Sequence, residues 1–271
     1  MKYAVLGPKG TFSDLAYQKY HELTEDEVIY TNTIEGAIKK LGEVDLAIVP
    51  IENTLDGYVQ QTLDVIFNEG VYIIDEIYMP VQFNFVGNEK NMYKIKRIYS
   101  QFVSKGQCQK ILNQIGDAEL VLVESNISSY EEVKKGNRYE GAIIPSHMDS
   151  DMFNLCVLNV ADIRENYTRF VIVSKNEVKR KSLENFKVSL VVIPENDRPG
   201  LLFDILKIFK DYDINLTSIM SRPKKELMGQ YFFFIDFTSN GKTYEDIEKV
   251  LKIIQSEYAI KILGIYKEGI L

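Results

Sequence analysis

Tryptophan is missing from this chain of 271 residues, and histidine occurs only twice, as His21 and His147. Cysteine is equally scarce, with Cys108 and Cys156 alone. Two cysteines supply neither a disulfide framework nor the repeated pairs that hold a structural zinc. Two histidines, neither with an acid or a nucleophile beside it in sequence, leave little for imidazole acid–base chemistry. Both are read as surface or structural groups, and Cys108 as core. Asp45, Asp64 and Asp75 have no metal-ligand spacing. No apolar run approaches the ~20 residues that cross a bilayer. The start "MKYAVLGPKG" stops at Gly-Pro, far short of a signal-peptide core. Positive charge is in deficit as well: the net charge is -7 and the sequence pI about 5.1. That balance argues against nucleic acid or an anionic membrane as the main partner. A small anionic ligand stays open, because the field inside one site can oppose the global charge. A cytoplasmic protein is expected.

What is present is ordinary in bulk: 45% hydrophobic and 26% charged residues, enough for two or three compact units. In the first half, short apolar runs alternate with helix-period segments. "YAVLG" (3–7) and "VDLAIVPI" (44–51) read as buried strands. A helix begins near Ser13, another covers 33–42 with Asn32 and Glu35 spaced as a capping box, and Val59, Leu63, Ile66 and Phe67 share one face of a third. The region 71–163 repeats the style, with one helix over 104–115. This alternation predicts α/β units with parallel or mixed sheets. The charged stretch 175–185 reads as a linker. Beyond it the order strand, helix, strand, strand, helix, strand (187–195, 198–213, 214–223, 229–237, 243–257, 259–267) is ferredoxin-like βαββαβ, with Pro199 suited to a first helical turn.

Several stretches have residue types that fit a ligand site. In "LGPKGTFSD" (6–14), Thr11 and Ser13 stand where a helix starts, either as caps or beside an anion drawn to free N–H groups. In "VPIENTLDGYVQQTLD" (49–64), Glu52, Asn53 and Thr54 follow a buried strand, where α/β sheets bind ligands. Glu52 is equally a buried carboxylate that orients its neighbours. In "ENYTRFVIVSK" (165–175), Asn166, Tyr167, Thr168 and Arg169 crowd the mouth of a strand. There Arg169 suits a bidentate grip on a carboxylate, or a surface position, and Thr168 both donates and accepts.

Each of these segments is modest alone, but "LGPKGTFS", "VPIENTLDGYVQQTLD" and "NYTRF", followed by a ferredoxin-like unit with "RPGLLFDIL" and "SRP", resemble the prephenate dehydratase family over nearly the whole chain. The dehydratase-like part starts at residue 2, with no chorismate mutase segment expected before it. The resemblance implies two α/β lobes around a cleft, like a type II periplasmic binding protein, and then a regulatory ACT domain. It places the catalytic unit at 1–178 (lobe one 1–78 with 164–178, lobe two 79–163), a linker at 179–185 and the ACT domain at 186–268. It implies conversion of prephenate to phenylpyruvate, water and carbon dioxide, with no cofactor. It also implies phenylalanine as effector and a homodimer or homotetramer that pairs its ACT domains. Carried over by position, Thr168 assists departure of the ring hydroxyl, and Arg169, with helix-end donors near Thr11 and Ser13, grips the pyruvyl carboxylate. Phe12, Glu52, Asn53, Thr54, Ser100, Gln107, Asn166 and Phe170 complete the expected substrate site. Pro199, Gly200, Leu201, Leu202, Phe203, Met220, Ser221, Arg222 and Pro223 form the expected phenylalanine site.

The chain departs from the family in three places. "SQFVSKGQC" (100–108) keeps Ser100, Gln107 and Cys108 but has Gln101 in place of a histidine. A second customary histidine is replaced near Gln82 or Phe83. Met220 stands where the effector motif usually has glutamate. A non-catalytic amino-acid-responsive homologue and a prephenate decarboxylase are the alternatives, and retained Thr168 argues against the second.

Overall fold

The computed structural model describes residues 1–21, 27–178, 185–223 and 231–270. Residues 179–184 of the expected linker and the start of the strand expected at 229 lie outside them.

Elements are numbered along the chain. The first lobe contains β1 (Lys2–Leu6), α1 (Phe12–Tyr20), β2 (Glu27–Thr31), α2 (Ile34–Lys39), β3 (Leu46–Asn53), β4 (Gly57–Tyr58), α3 (Gln60–Glu69) and β5 (Tyr72–Pro80). The second contains β6 (Phe83–Gly87), β7 (Arg97–Gln101), α4 (Phe102–Gln107), α5 (Gln109–Ile115), β8 (Glu119–Val123), α6 (Asn126–Lys134), β9 (Glu140–Pro145) and β10 (Leu155–Val157). The chain then returns as β11 (Tyr167–Ser174) to the first sheet, whose order is β2-β1-β3-β11-β5 with β4 on the side of β3. The second sheet runs β10-β6-β9-β7-β8. Both are mixed: β11 is antiparallel to β3 and β5, whereas β1 is parallel to β2 and β3. Two crossing segments join the lobes, and they are tied where Val81 N donates to Asn166 O (2.8 Å) and Gln82 Nε2 to Arg164 O (2.6 Å).

Local chemistry moves several expected boundaries. Thr33, not Asn32, caps α2, its hydroxyl accepting from Gly36 N at 2.9 Å. The single helix expected over 104–115 is two, broken at Cys108 (φ -128°, ψ 35°). The Asp162 carboxylate takes up the freed donors, accepting from Gln109 N (2.8 Å) and Lys110 N (3.0 Å), and so caps α5 from outside. Cys108 is fully buried, as a core residue should be, and burial pushes its thiol up to about 12.

The last unit is β12 (Phe186–Ile193), α7 (Leu201–Asp211), β13 (Leu216–Pro223), β14 (Tyr231–Thr238), α8 (Tyr244–Glu257) and β15 (Ala259–Lys267), an antiparallel sheet of order β13-β14-β12-β15. Helix α7 starts two residues after Pro199, behind Gly200 in the left-handed region (φ 81°), so the proline precedes the first turn and does not lie in it. One face of this sheet packs on α7 and α8 through Val188, Leu190, Ile205, Phe209, Val250 and Ile254. The other face is buried against lobe one, where Val191, Phe234, Leu263 and Tyr266 join Val49, Leu63, Ile66 and Ile73 in one core. The approach is close at β15: a Cβ added to Gly264 would stand 2.1 Å from the Ile73 carbonyl oxygen. Only glycine fits there without moving backbone.

Candidate active site

The strand mouth that holds Asn166 to Phe170 lies where the crossing segment enters the first sheet. Side chains alternate along a strand, so neighbours here face opposite ways. Thr168 is opposite Asn53, and Arg169 is opposite Glu52. A register shift follows at once, with Phe170 opposite Pro50 and Ile51 left over, and the Ile51 carbonyl is taken by Val59 N at 2.8 Å. Bulges of this kind re-aim side chains, and proline, with no N–H to lose, tolerates them.

On the Thr168 face the groups that meet its hydroxyl are neutral. Asn53 Nδ2 donates to Thr168 Oγ1 (2.9 Å), to Asn166 Oδ1 (2.9 Å) and to Tyr167 O (3.2 Å). Its Oδ1 accepts from Leu55 N (2.9 Å) and Asp56 N (3.2 Å), which fixes the amide orientation and shapes the loop after β3. Asn166, 1% exposed, passes the chain on through Nδ2 to Gln107 Oε1 (3.1 Å). Gln107 Nε2 in turn donates to Asp56 Oδ2 (3.2 Å), so α4 of lobe two is tied to the loop of lobe one. Thr54 closes the loop against β11, its hydroxyl accepting from Tyr167 N and donating to Tyr167 O, each at 2.9 Å. The structure therefore brings together Asn53, Thr54, Gln107, Asn166 and Thr168.

The N-terminus of α1 forms a second contact between the lobes. Thr11 is its N-cap: the hydroxyl accepts from Asp14 N (3.3 Å) and reaches Leu6 O (3.4 Å). Ser13 is buried at 6% exposure. Phe12 lies edge-on to Phe83 (5.8 Å) and to the His147 ring (5.4 Å), both of lobe two. His147 Nε2 donates to Gly10 O at 2.8 Å, and burial holds its imidazole below its usual range, against the opposing pull of the Gly10 carbonyl and Asp14. Asp14, 1% exposed, accepts from Gly10 N (2.8 Å) and from Tyr30 Oη, which keeps the loop folded over the helix end.

Four expected substrate contacts are elsewhere. Arg169, 3% exposed, points to the opposite face, where Nε donates to Glu76 Oε2 (2.7 Å), Nη1 to Asp236 Oδ2 (2.6 Å) and Glu52 Oε2 (3.2 Å), and Nη2 to Tyr266 Oη (2.8 Å). A guanidinium already held by these groups is not a free clamp for a substrate carboxylate. Glu52 shares that face, its side chain half-buried beside Arg169. Phe170, 2% exposed, is a core residue with Tyr3, Ile48 and Met79 beneath Thr168. Ser100 is fully buried, its hydroxyl bonded to Gln101 O (3.1 Å) and Ser104 Oγ (3.2 Å). Gln101, at the customary histidine position, caps α4 through Oε1, accepting from Val103 N (2.7 Å) and Ser104 N (3.3 Å).

The ion cluster around Arg169 is completed by Lys187, whose Nζ donates to Glu76 Oε1 (2.7 Å) and Tyr78 Oη (2.9 Å). Burial alone would push the Asp236 carboxyl up, but Arg169, Ser189 and Lys187 outweigh it and hold it below the usual range. Burial and the nearby carboxylates raise the Tyr266 phenol well above its ordinary value, so it stays protonated. None of Glu76, Lys187, Asp236 or Tyr266 was singled out from sequence. For the carboxylates the signal is there, in acidic residues inside apolar strands such as "VYIIDEIY" and "YFFFIDF".

The residues expected around phenylalanine divide by strand alternation. Met220 packs toward the lobe-one core, and Arg222 bonds Asp64 (Nε–Oδ1 3.1 Å, Nη2–Oδ2 2.7 Å) and Gln60 Oε1 (2.6 Å) on α3. Leu201 is core, whereas Pro199, Gly200, Leu202, Phe203, Ser221 and Pro223 are exposed.

Comparison with known proteins matches residues 3–178 to the prephenate dehydratase family and residues 191–255 to the ACT domain. The prephenate dehydratase of Methanocaldococcus jannaschii is 32% identical over 96% of this chain and 95% of its own. That of Bacillus subtilis is 31% identical over 91% and 90%. Among solved structures, a prephenate dehydratase from Arthrobacter aurescens in complex with L-Phe superposes with a TM-score of 0.85 at 27% identity, over 99% of this chain and 90% of that one.

Proposed function

Because the chain belongs to the prephenate dehydratase family, we infer that it converts prephenate to phenylpyruvate, water and carbon dioxide. The bond between the ring and its carboxylate breaks, the electron pair moves into the diene, and the hydroxyl on the para carbon leaves, taking up a proton to become water. Aromatisation supplies much of the driving force. The site has to hold a dianion and stabilise departing hydroxide.

The observation that supports Thr168 in the second task is the Asn53 contact. With Asn53 Nδ2 donating into Thr168 Oγ1, a lone pair is occupied, and the hydroxyl hydrogen has no partner among the described residues. Thr168 is thereby oriented as a donor. A threonine is too weak an acid to give up its proton outright, so it acts by hydrogen bonding to the developing hydroxide. A positioned donor of this kind contributes ~10²–10⁴-fold. Gln107 and Asn166, linked to the same chain, orient the substrate between the lobes. We assign the pyruvyl carboxylate to the first-turn N–H groups of Phe12 and Ser13, aided by the positive end of α1. The carboxylate that departs should meet weakly polar surroundings, because gripping it would stabilise the ground state.

The ACT domain and the L-Phe complex of a relative support phenylalanine as the effector. We place the effector at the edge strand β13 and the start of α7, paired with a second copy of the chain into a homodimer or homotetramer. The outward Leu202, Phe203 and Ile219 give that edge apolar surface. We take residues 1–178 as the catalytic unit, 186–268 as the ACT domain, and the cytoplasm as the compartment.

The test is incubation with prephenate, following phenylpyruvate absorbance in alkali. The wild type should form it and Thr168→Ala should not at a comparable rate. Arene formation absent from the wild type would return the chain to an amino-acid-responsive binding role. Carbon dioxide without an aromatic product would mean decarboxylation alone.

A further inference from the structure

Asp236 belongs to the ACT sheet, yet it holds both flanks of the pair at the centre of the site. Its Oδ2 accepts from Arg169 Nη1 (2.6 Å), and Arg169 is the residue after Thr168. The same oxygen accepts from Tyr58 Oη (2.9 Å), and Tyr58 pairs with Glu52, the residue before Asn53. Tyr266 adds a second anchor on Arg169 at 2.8 Å and is itself fixed by Ser189 Oγ at 2.7 Å. Arg169 (3% exposed), Tyr266 (0%), Ser189 (2%) and Asp236 (7%) are buried in the joint, with Tyr58 half-buried at its edge. The bulge after Arg169 makes this anchoring consequential. Where β3 and β11 slip by one residue, ladder register alone does not fix how Thr168 sits over Asn53.

We propose that Asp236 is a positioning residue for the dehydration: through Arg169 on one side and Tyr58 on the other, the ACT sheet sets the distance between Thr168 and Asn53. This rests on the assignment of Thr168 to the reaction. An effector that shifts β14 is then felt beside Thr168 through Arg169 and beside Asn53 through Tyr58. Coupling of this kind needs a ligand to favour one placement of β14 over another.

Full-length Asp236→Asn and Tyr58→Phe test it, with Thr168→Ala as the second arm of a double-mutant cycle. A small misplacement of a catalytic group costs roughly ten- to a hundredfold, so Asp236→Asn should lower kcat by that factor and leave KM within about twofold. In the Thr168→Ala background the same substitution should lower kcat no further, because residues acting through one another are non-additive. Backbone hydrogen exchange at 53–54 and 166–170 should quicken in Asp236→Asn and, less, in Tyr58→Phe, whether or not prephenate is the substrate. A lowered melting temperature with kcat, KM and exchange unchanged would overturn the proposal, as would equal losses in both backgrounds. Should Asp236→Asn fail to fold, Tyr58→Phe decides on the same readouts. Failure of the wild type to form phenylpyruvate would instead sink the functional assignment, and the exchange measurements would still judge the anchoring.

Discussion

Where lobe one meets lobe two the contacts are amides, an imidazole and aromatic edges: Asn53 and Asn166 reach Gln107 of lobe two, Gly10 takes the His147 imidazole of lobe two, and Phe12 meets Phe83. Where lobe one meets the ACT sheet there is a dry apolar face and the ion cluster of Glu76, Arg169, Lys187 and Asp236. The first contact is the chemistry of a surface that can open to water, since amides exchange protein partners for solvent at small net cost. The second cannot open cheaply, because a charge separated from its partner there would remain buried. Adjacent residues of one strand, Thr168 and Arg169, belong to these two regimes. The cleft is thus free to admit a ligand, while the strand that holds its key hydroxyl is fixed from behind.

The sharpest way to break this contrast is to remove each residue of the pair. Thr168→Ala should lose ~10²–10⁴ in kcat with its melting temperature nearly unchanged, and Thr168→Ser should recover most of the rate. Arg169→Ala should behave in the opposite sense and lose about 3–5 kcal/mol of stability in denaturant melts, because Glu76 and Asp236 are left without it. An Arg169→Ala protein as stable as wild type, with only its KM raised, would restore arginine as the substrate clamp.

Acid should find the two contacts in sequence. His147 has a folded pKa below its unfolded value near 6.5, so its contribution is complete above that pH and is lost as pH falls through the lower folded value. Asp236 is likewise depressed from 3.8, so its contribution is complete above 3.8 and lost only in stronger acid. Melting temperatures should therefore slip first as pH falls below the ordinary histidine value of 6.5, less so in His147→Gln, with the ion cluster failing at lower pH. The smallest effect is expected at the half-exposed end of the ACT joint. Asp64→Asn weakens the Arg222 pair by about 1 kcal/mol or less and should leave basal turnover unchanged.

Much of this was legible from residues alone. The strand and helix order of both halves follows from apolar periodicity, and the three quoted segments meet at one cleft or beside it. Arg169 lies on the face away from the cleft for a physical reason that the sequence also contains. In a strand that begins near Tyr167, a period of two sends Thr168 and Arg169 to opposite faces, and Asn53 and Glu52 likewise. Reading all four as cleft residues ignored that alternation. What sequence does not supply is the neighbour on the far face: that β14 and β15 bring Asp236 and Tyr266 to Arg169 depends on a docking between units 67 and 97 positions apart in the chain. His147 has the structural role expected of it, but its partner, Gly10, lies 137 positions away and is not visible from its sequence neighbours.

Gly264 gives the ACT joint a further property. Because β15 lies against the Ile73 carbonyl with no space for a methyl group, the C-terminal module behaves as a fitted part and not as an interchangeable attachment. A sensor domain borrowed from another enzyme, to make this catalyst answer a different metabolite, would have to carry the same notch at that point in its final strand. Without it the graft would ride up off lobe one, and the carboxylate meant for Arg169 would arrive too far away.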